Sequence, residues 1–287
     1  MLTSLAGVLF DGFAYGMLLF LLSVGLSVTL GMMNFVNLAH CSFAMVGGYA
    51  TVSLMARFGW PFLATLPMAF LAGALVSIVL ERTLYRHLYR SSDLDQCLLT
   101  IGIVFISVAA FAWFYSTEQQ SVRVPDYLQG SVQVGGQSFA AYRLFLIVTG
   151  LAILGALVFL VERTRFGARV RAAVDNQRMA RGLGIDVDRA FMITFALGGG
   201  LAGLGGALAI QVVGLDPTFA LAYLVYVLIV VAVGGLGSIG GSFAAAAVLG
   251  ISDMAGKYYF PWLGAFLIYL VMVALLMWRP AGLFGKR

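Results

Sequence analysis

Long runs of apolar residues constrain this chain more than any other feature of its sequence. The first run covers residues 12–31, and about 20 consecutive apolar residues form a helix that can cross the hydrocarbon core of a bilayer. Only 10% of the 287 residues are charged and 62% are hydrophobic, whereas soluble domains carry roughly 25% charged residues. The runs therefore predict transmembrane helices rather than the core of a soluble fold.

The pattern of runs predicts an all-α integral membrane protein, a polytopic bundle of about eight or nine transmembrane helices in one domain over residues 1–287. The first run lacks a preceding basic segment and is long enough to be a retained helix rather than a signal peptide. Two pieces, 221–233 and 238–251, are short and separated by glycines, so they could instead be re-entrant. The candidate spans are residues 12–31, 34–55, 61–80, 97–115, 144–161, 190–213, 221–233, 238–251 and 262–278.

Three segments, 81–96, 162–189 and 279–287, hold 13 of the 17 Lys and Arg residues. Because Lys and Arg are enriched in cytoplasmic loops, these segments are predicted to be cytoplasmic. The C-terminus is then inside and the N-terminus is periplasmic, which requires an odd number of crossings. This distribution also accounts for the net charge of +5 without nucleic-acid binding.

The loop at about 117–142 is predicted on the opposite, periplasmic side. Val132, Val134 and Phe139 flank the pair Gly135 and Gly136, and such alternation around a glycine turn is typical of a short β-hairpin. We therefore expect one hairpin in an otherwise helical protein.

The loop at about 162–189 is the most polar part of the chain. Residues 168–183 suit a helix, because Val170, Ala173 and Val174 share one face and Gly184 stands where a helix stop is expected. Such a helix could dock on a cytoplasmic partner through its small residues and arginines, or it could lie on anionic lipid headgroups. The residues predicted to make the partner contact are Arg169, Arg171, Ala172, Ala173, Asn176, Arg178, Ala180 and Gly184.

Two groups of residues are candidates for a translocation path. Residues 235–240 match the glycine spacing of a dinucleotide-binding loop, but they lie between two apolar pieces, which favours a helix break at membrane depth. Residues 34–42 bring polar side chains into an apolar run, either for interhelical hydrogen bonds or to receive the ammonium and carboxylate groups of a solute. The candidate path residues are Asn34, Asn37, His40, Ser42, Gly235, Gly237 and Ser238.

Several classes of function are disfavoured by what the sequence lacks. Three aspartates, Asp11, Asp216 and Asp253, are predicted to lie near span ends, and no charged residue is predicted near a span centre. Ion-coupled carriers usually have charged residues near the span centres. No Walker A motif is present, so the energy for transport would come from another polypeptide. Cys41 and Cys97 do not form a metal-binding spacing, so neither a metal nor a cofactor is predicted.

Four stretches, in order along the chain, resemble one family. Residues 171–189, RAAVDNQRMARGLGIDVDR, are similar to the coupling segment of ABC importer permeases and, more narrowly, of the branched-chain amino acid permeases of the LivH type. Family members commonly have Gly where Cys41 stands and often Pro near Gly240, and both departures are small. The other matching stretches are residues 33–40 with 42–44, residues 234–241, and residues 279–285.

This resemblance implies the permease subunit of an ATP-binding-cassette importer that moves branched-chain amino acids across the bacterial inner membrane. Urea or short amides are alternative solutes, and an ion-coupled secondary carrier is the alternative class. The implied partners are a second homologous permease subunit of the LivM type, two cytoplasmic ABC ATPase subunits, a periplasmic amino-acid-binding protein and membrane lipid. ATP hydrolysis is expected on the ATPase subunits, so this chain is not expected to be an enzyme.

Overall fold

The computed structural model describes residues 2–33, 35–89, 91–134 and 137–285, and most of them are helical. Its elements in chain order are α1 Leu2–Met33, α2 His40–Phe58, α3 Phe62–Leu80, a π-helical turn Glu81–Tyr85, α4 Arg86–Leu88, α5 Asp93–Tyr115, α6 Asp126–Gln129, β1 Ser131–Val134, β2 Gln137–Ala140, α7 Ala141–Val158, a second π-helical turn Phe159–Arg163, α8 Arg165–Asp175, α9 Gln177–Gly182, α10 Val187–Val213, α11 Phe219–Gly234, α12 Ile239–Tyr259 and α13 Gly264–Trp278. The prediction of an all-α membrane bundle is confirmed.

Six helices, α1, α3, α5, α7, α10 and α12, are long and apolar enough to cross a membrane. Helices α11 and α13 are apolar but shorter, about 24 and 23 Å long at 1.5 Å per residue. Within the described ranges, each of the nine predicted spans coincides with one long helix. These helices are the eight just named and α2.

Connections between successive long helices alternate between the two ends of the bundle. At one end, the Val36 N–H donates to Gln96 Oε1 over 3.0 Å. At the other end, Gln120 and Leu215 form a β-bridge between two connections. The first end, called the basic end below, holds residues 81–89, 164–186 and 279–285. The segments predicted to share one side of the membrane therefore share one end of the molecule.

Helix α1 lies at the centre of the bundle and packs against α7, α10, α11 and α12. Residues 17–22 of α1 are almost completely buried. A Cβ atom on Gly16 would fall 2.6 Å from the Ala246 carbonyl oxygen, and one on Gly25 would fall 2.3 Å from the Gly198 carbonyl oxygen. These glycines therefore let helix backbones approach closely, as small residues do in membrane bundles.

Helices α5 and α7 lie at the edge of the molecule. Only 11% of the apolar window of α5 and 17% of that of α7 is buried. Large apolar side chains such as Trp113 and Phe114 on α5 are exposed. In a bilayer this edge faces lipid or another subunit.

The predicted hairpin is present, with β1 and β2 antiparallel and Val132 opposite Phe139. Gly135 and Gly136, which were predicted to form its turn, lie outside the described residues. A tilted contact between Phe10 and Phe139, with ring centroids 4.5 Å apart, places the hairpin beside the start of α1.

Residues 219–259 form two antiparallel helices rather than a re-entrant pair. Helix α11 begins beside the Leu215 bridge and ends at the basic end, where Val233 accepts a hydrogen bond from the Leu283 N–H over 2.7 Å. Helix α12 then returns to the opposite end and extends to Tyr259, eight residues beyond the predicted end at Ile251. The hydropathy of the run falls after Ile251, but the helix continues.

Candidate functional site

The polar segment between α7 and α10, residues 164–186, is called the coupling segment here. It contains two helices, α8 and α9, where the sequence predicted a single helix over 168–183. Asn176 has extended backbone angles and its Oδ1 accepts from the Met179 N–H over 3.0 Å, so it caps α9. Asparagine favours this role because its side chain replaces the missing intrahelical partner.

The predicted stop at Gly184 is confirmed. Gly184 has a φ of +79°, and the Ile185 N–H donates to the Ala180 oxygen over 3.0 Å while the Gly184 N–H donates to the Arg181 oxygen over 3.0 Å. This pair of hydrogen bonds is a Schellman motif, which favours glycine at the left-handed position. The chain therefore turns sharply from α9 into α10.

Two alanines of the coupling segment face the interior of their own chain. Ala173 and Ala180 pack with Val187 and Phe191 in a buried cluster at the basic end. Met33 at the end of α1, Tyr89 and Ile185 complete this packing. The expectation that Ala173 and Ala180 contact a partner is therefore corrected, because side chains enclosed by their own fold are not available to another surface. Ala172 is half-buried.

One part of the exposed surface of the coupling segment is apolar and cationic. Met179 and Leu183 are strongly exposed, and Arg178 lies beside them. We call these three residues the α9 face. In the described part of the chain, Arg169 and Arg178 make no ion pair, whereas Arg181 pairs with Asp188 at 2.9 Å, and Arg171 donates to the Val161 carbonyl oxygen. The predicted arginines therefore divide into two free cations and two held by their own chain.

A hydrogen bond from Tyr89 to Glu81 links the end of α3 to the buried cluster. The Tyr89 hydroxyl donates to Glu81 Oε1 over 2.7 Å, and its ring meets Phe191 edge-on at 5.9 Å. Burial and this hydrogen bond raise the pKa of Tyr89 above its ordinary value, so the phenol stays protonated and remains a donor. The coupling segment is thereby connected to α1, α3 and α10 at once.

Residues 235–238, called the glycine loop here, break the backbone between α11 and α12. Gly235 and Gly237 have φ angles of +96° and +78°. Ser238 Oγ accepts from the Gly241 N–H over 3.0 Å and caps α12. The motif follows a helix, not a strand, so it lacks the setting of a dinucleotide-binding loop.

A cavity of about 680 Å³ lies beside the glycine loop at the basic end. Gly237 and Ser238 contribute to its lining, as do Gly31 of α1 and Glu162. Gly235 is instead covered by the C-terminal tail, since a Cβ atom there would fall 2.5 Å from the Gly285 nitrogen. Two of the three predicted path residues in the loop therefore border an open space.

The polar residues around α2 are buried and do not line that cavity. Asn37 Oδ1 accepts from the Tyr85 hydroxyl over 3.4 Å, and the hydroxyls of Ser42 and Ser107 are 2.8 Å apart. The Ser42 contact joins α2 to α5, and the Asn37 contact joins the connection before α2 to the π-helical turn after α3. Both fit the alternative that these residues make hydrogen bonds between elements of the fold. His40 is buried, and its Nε2 has no hydrogen-bond partner among the residues that the structure describes. Asn34 lies outside those residues.

Helix α12 carries a buried charge that was not predicted from the sequence. Asp253 was expected near a span end, but it lies within α12 and its side chain is 1% exposed. Asp253 Oδ2 accepts from Lys257 Nζ over 2.6 Å, while Oδ1 is buried with no partner in the described residues. The spacing of Asp253 and Lys257 by four residues was the available signal, since such pairs share one helix face.

Comparison with known proteins gives one family. A family model described as the permease component of the branched-chain amino acid transport system matches residues 8–276. The chain is 28% identical to the probable branched-chain amino acid transport permease protein LivH of Methanocaldococcus jannaschii, over 94% of this chain and 90% of that protein. It is 26% identical to the high-affinity branched-chain amino acid transport system permease protein LivH of Escherichia coli K12, over 97% and 94% of the two chains.

Two further similarities are more distant. The LivM permease protein of Salmonella typhimurium is 25% identical, over 93% of this chain and 68% of that protein. A solved structure, PsaBC from Streptococcus pneumoniae in complex with Fab, matches with a TM-score of 0.44 and 16% identity over 96% of this chain and 89% of the other. That TM-score is below the level at which a shared fold follows.

Proposed function

Because the chain belongs to the family of branched-chain amino acid transport system permease components, we propose that it is the LivH-type permease subunit of an ABC importer for branched-chain amino acids in a bacterial inner membrane. The observation that carries this proposal is the family match over residues 8–276, which includes all nine long helices in whole or in part. The relatives named above carry the same solute class in their names.

The proposed assembly contains a second homologous permease, two cytoplasmic ATPases and a periplasmic amino-acid-binding protein. The sequence holds no Walker A motif, so ATP would be hydrolysed by the partner subunits. The similarity to both LivH and LivM proteins supports a pair of related permeases. The basic end is the cytoplasmic end in this proposal, since it collects most of the Lys and Arg residues.

The α9 face is the surface that we assign to an ATPase. Met179 is 64% exposed and Leu183 is 78% exposed, although both lie on a segment outside the apolar spans. Apolar side chains exposed among polar ones are typical of a protein contact, and Arg178 adds a cation for an acidic residue of the partner. Headgroup binding would use the arginines but would not require exposed Met and Leu.

Movement of the coupling segment would reach the bundle through the buried cluster. Ala173 and Ala180 attach α8 and α9 to Met33 at the end of α1 and to Phe191 at the start of α10. Tightly packed contacts transmit displacement rather than absorb it. Closure of the ATPases would therefore shift α1 and α10 together and change the cavity beside the glycine loop.

Reconstituted transport tests this function. The permease pair, both ATPases and the binding protein are placed in proteoliposomes, and uptake of radiolabelled leucine is measured with ATP and with a non-hydrolysable analogue. We expect accumulation of leucine only with ATP and only when the ATPases are present. Urea and acetamide are measured in parallel as the alternative solutes.

Two outcomes would contradict the proposal. Uptake of urea or acetamide without uptake of leucine would move the solute to another chemical class. Leucine uptake that persists without any ATPase would identify an ion-coupled carrier, and Asp253 with Lys257 would then be its ionisable pair.

A further inference from the structure

We propose that Asp253 and the tyrosines around it form a binding site for a primary ammonium group, which Lys257 fills when no solute is present. The site lies between α1, α11, α12 and α13, six residues before the end of α12 at Tyr259. That depth is about 9 Å from the helix end. This end of the bundle is opposite to the basic end, so it is the side from which an imported solute would enter.

The Asp253 carboxylate has unused capacity to accept hydrogen bonds. Its side chain is 1% exposed, and Lys257 Nζ contacts Oδ2 at 2.6 Å. The second oxygen, Oδ1, is buried with no partner in the described residues. A primary ammonium carries three N–H donors, so one ammonium placed against both oxygens satisfies the carboxylate better than the present contact does.

Aromatic rings complete the surroundings that an ammonium requires. Lys257 Nζ lies 5.5 Å from the centroid of the Tyr15 ring, within the range of a cation–π contact. Tyr226 of α11, a helix that packs against α12, lies between Tyr223 and Tyr269 of α13, with ring centroids 5.8 and 6.3 Å away. Rings with an acid among them favour a cation over an anion or a neutral amide.

The Lys257 side chain is positioned so that its ammonium can move away from Asp253 and return to it. Its side chain is 52% exposed, in contrast to the enclosed carboxylate. Exchange of one ammonium for another keeps Asp253 neutralised in both states, which avoids the large cost of an unpaired buried charge. A structural ion pair that only stabilises α12 would not need an enclosed acid with a free oxygen, because such pairs form readily on exposed helix faces.

The identity of the solute as an amino acid rests on the proposed function, but the existence of the ammonium site does not. A binding assay without transport therefore separates the two. Lys257 and Lys286 are the two lysines of the chain, so acylation of the purified full-length permease by a water-soluble amine-reactive ester can be read by mass spectrometry at both positions. The ratio of acylated Lys257 to acylated Lys286 corrects for reagent that the added amine consumes.

We expect isopentylamine and leucine to raise this ratio by about threefold or more, because a displaced Lys257 loses the charge-assisted hydrogen bond that shields its amine. The acid 4-methylpentanoate has the carbon skeleton of leucine without the ammonium and should leave the ratio unchanged. In Asp253→Asn the ratio should be high and insensitive to all three compounds. Asp216→Asn is the matched control at the same end, since the Asp216 side chain accepts hydrogen bonds from Thr218 alone among the described residues, and it should respond as the wild type does.

A wild-type ratio that isopentylamine does not change overturns the inference, and so does an equal response to 4-methylpentanoate. Both measurements use the wild-type protein, so they remain decisive if Asp253→Asn does not fold. Failure of leucine uptake in proteoliposomes, with an intact response to isopentylamine here, would remove the proposed function and leave the ammonium site standing.

Discussion

At Gly237, two independent constraints exclude any side chain. The φ angle of +78° is one that residues other than glycine rarely adopt, and a Cβ atom would fall 2.7 Å from the Gly31 Cα. We therefore predict that Gly237→Ala lowers the free energy of unfolding by about 1–3 kcal/mol and reduces leucine uptake. The midpoint of thermal unfolding in detergent and uptake in proteoliposomes measure the two effects.

Gly240→Ala is the control in the same stretch. A Cβ atom there would have open space around it and the φ angle is not positive. Its unfolding midpoint should equal that of the wild type. An unchanged midpoint for Gly237→Ala as well would mean that α1 and the glycine loop are not in contact.

Single residues show what the sequence could and could not predict. The helix stop at Gly184 follows from local backbone chemistry, so it was predictable. The burial of Asp253 was not, because the apolar run ends at Ile251 and hydropathy does not report what packs around the next turn. Periodicity placed Ala173 on an apolar face, but it could not say whether that face meets a partner or the chain itself.

At the scale of elements, the α9 face and the buried cluster predict opposite results for two neighbouring substitutions. Met179→Asp changes an exposed side chain, so we expect normal thermal stability but loss of ATPase copurification and of uptake. Ala180 is 2% exposed, so Ala180→Asp places an unpaired charge in the buried cluster. We expect the free energy of unfolding to fall by several kcal/mol.

Tyr127→Asp is the matched control for Met179→Asp. Tyr127 is also 64% exposed, but it lies in α6 at the opposite end, so copurification and uptake should persist. Normal copurification of Met179→Asp with the ATPases would show that another surface makes this contact.

The long helices were easier to predict from the sequence than the positions at which a helix is interrupted. The nine apolar runs gave nine long helices because burying the backbone in lipid requires helical hydrogen bonding. The division of the coupling segment at Asn176 was missed because a single asparagine is tolerated in many helices, and its capping role depends on the neighbouring chain path. The hairpin was visible in advance because alternation is a local signal.

For the whole molecule, the alternation of connections predicts which residues reach which side of the membrane. In a background with Cys41 and Cys97 replaced, Asp175→Cys and Tyr127→Cys each provide one exposed thiol at opposite ends of the bundle. We predict that a membrane-impermeant maleimide labels the thiol at position 127 in intact cells and labels that at position 175 only after the membrane is opened. The reverse pattern would invert the proposed orientation.

The central position of α1 also sets an order on synthesis. Ser27 of α1 hydrogen-bonds to Ser242 of α12, 215 residues later in the chain, and Gly12 and Gly16 meet the same late helix. Helix α1 therefore leaves the ribosome long before the helix that covers it, and its small-residue face must remain against lipid or the insertion machinery until α12 arrives. A chain that stops before α12 would lack the helix that covers this face of α1, so its central helix would be open on one side.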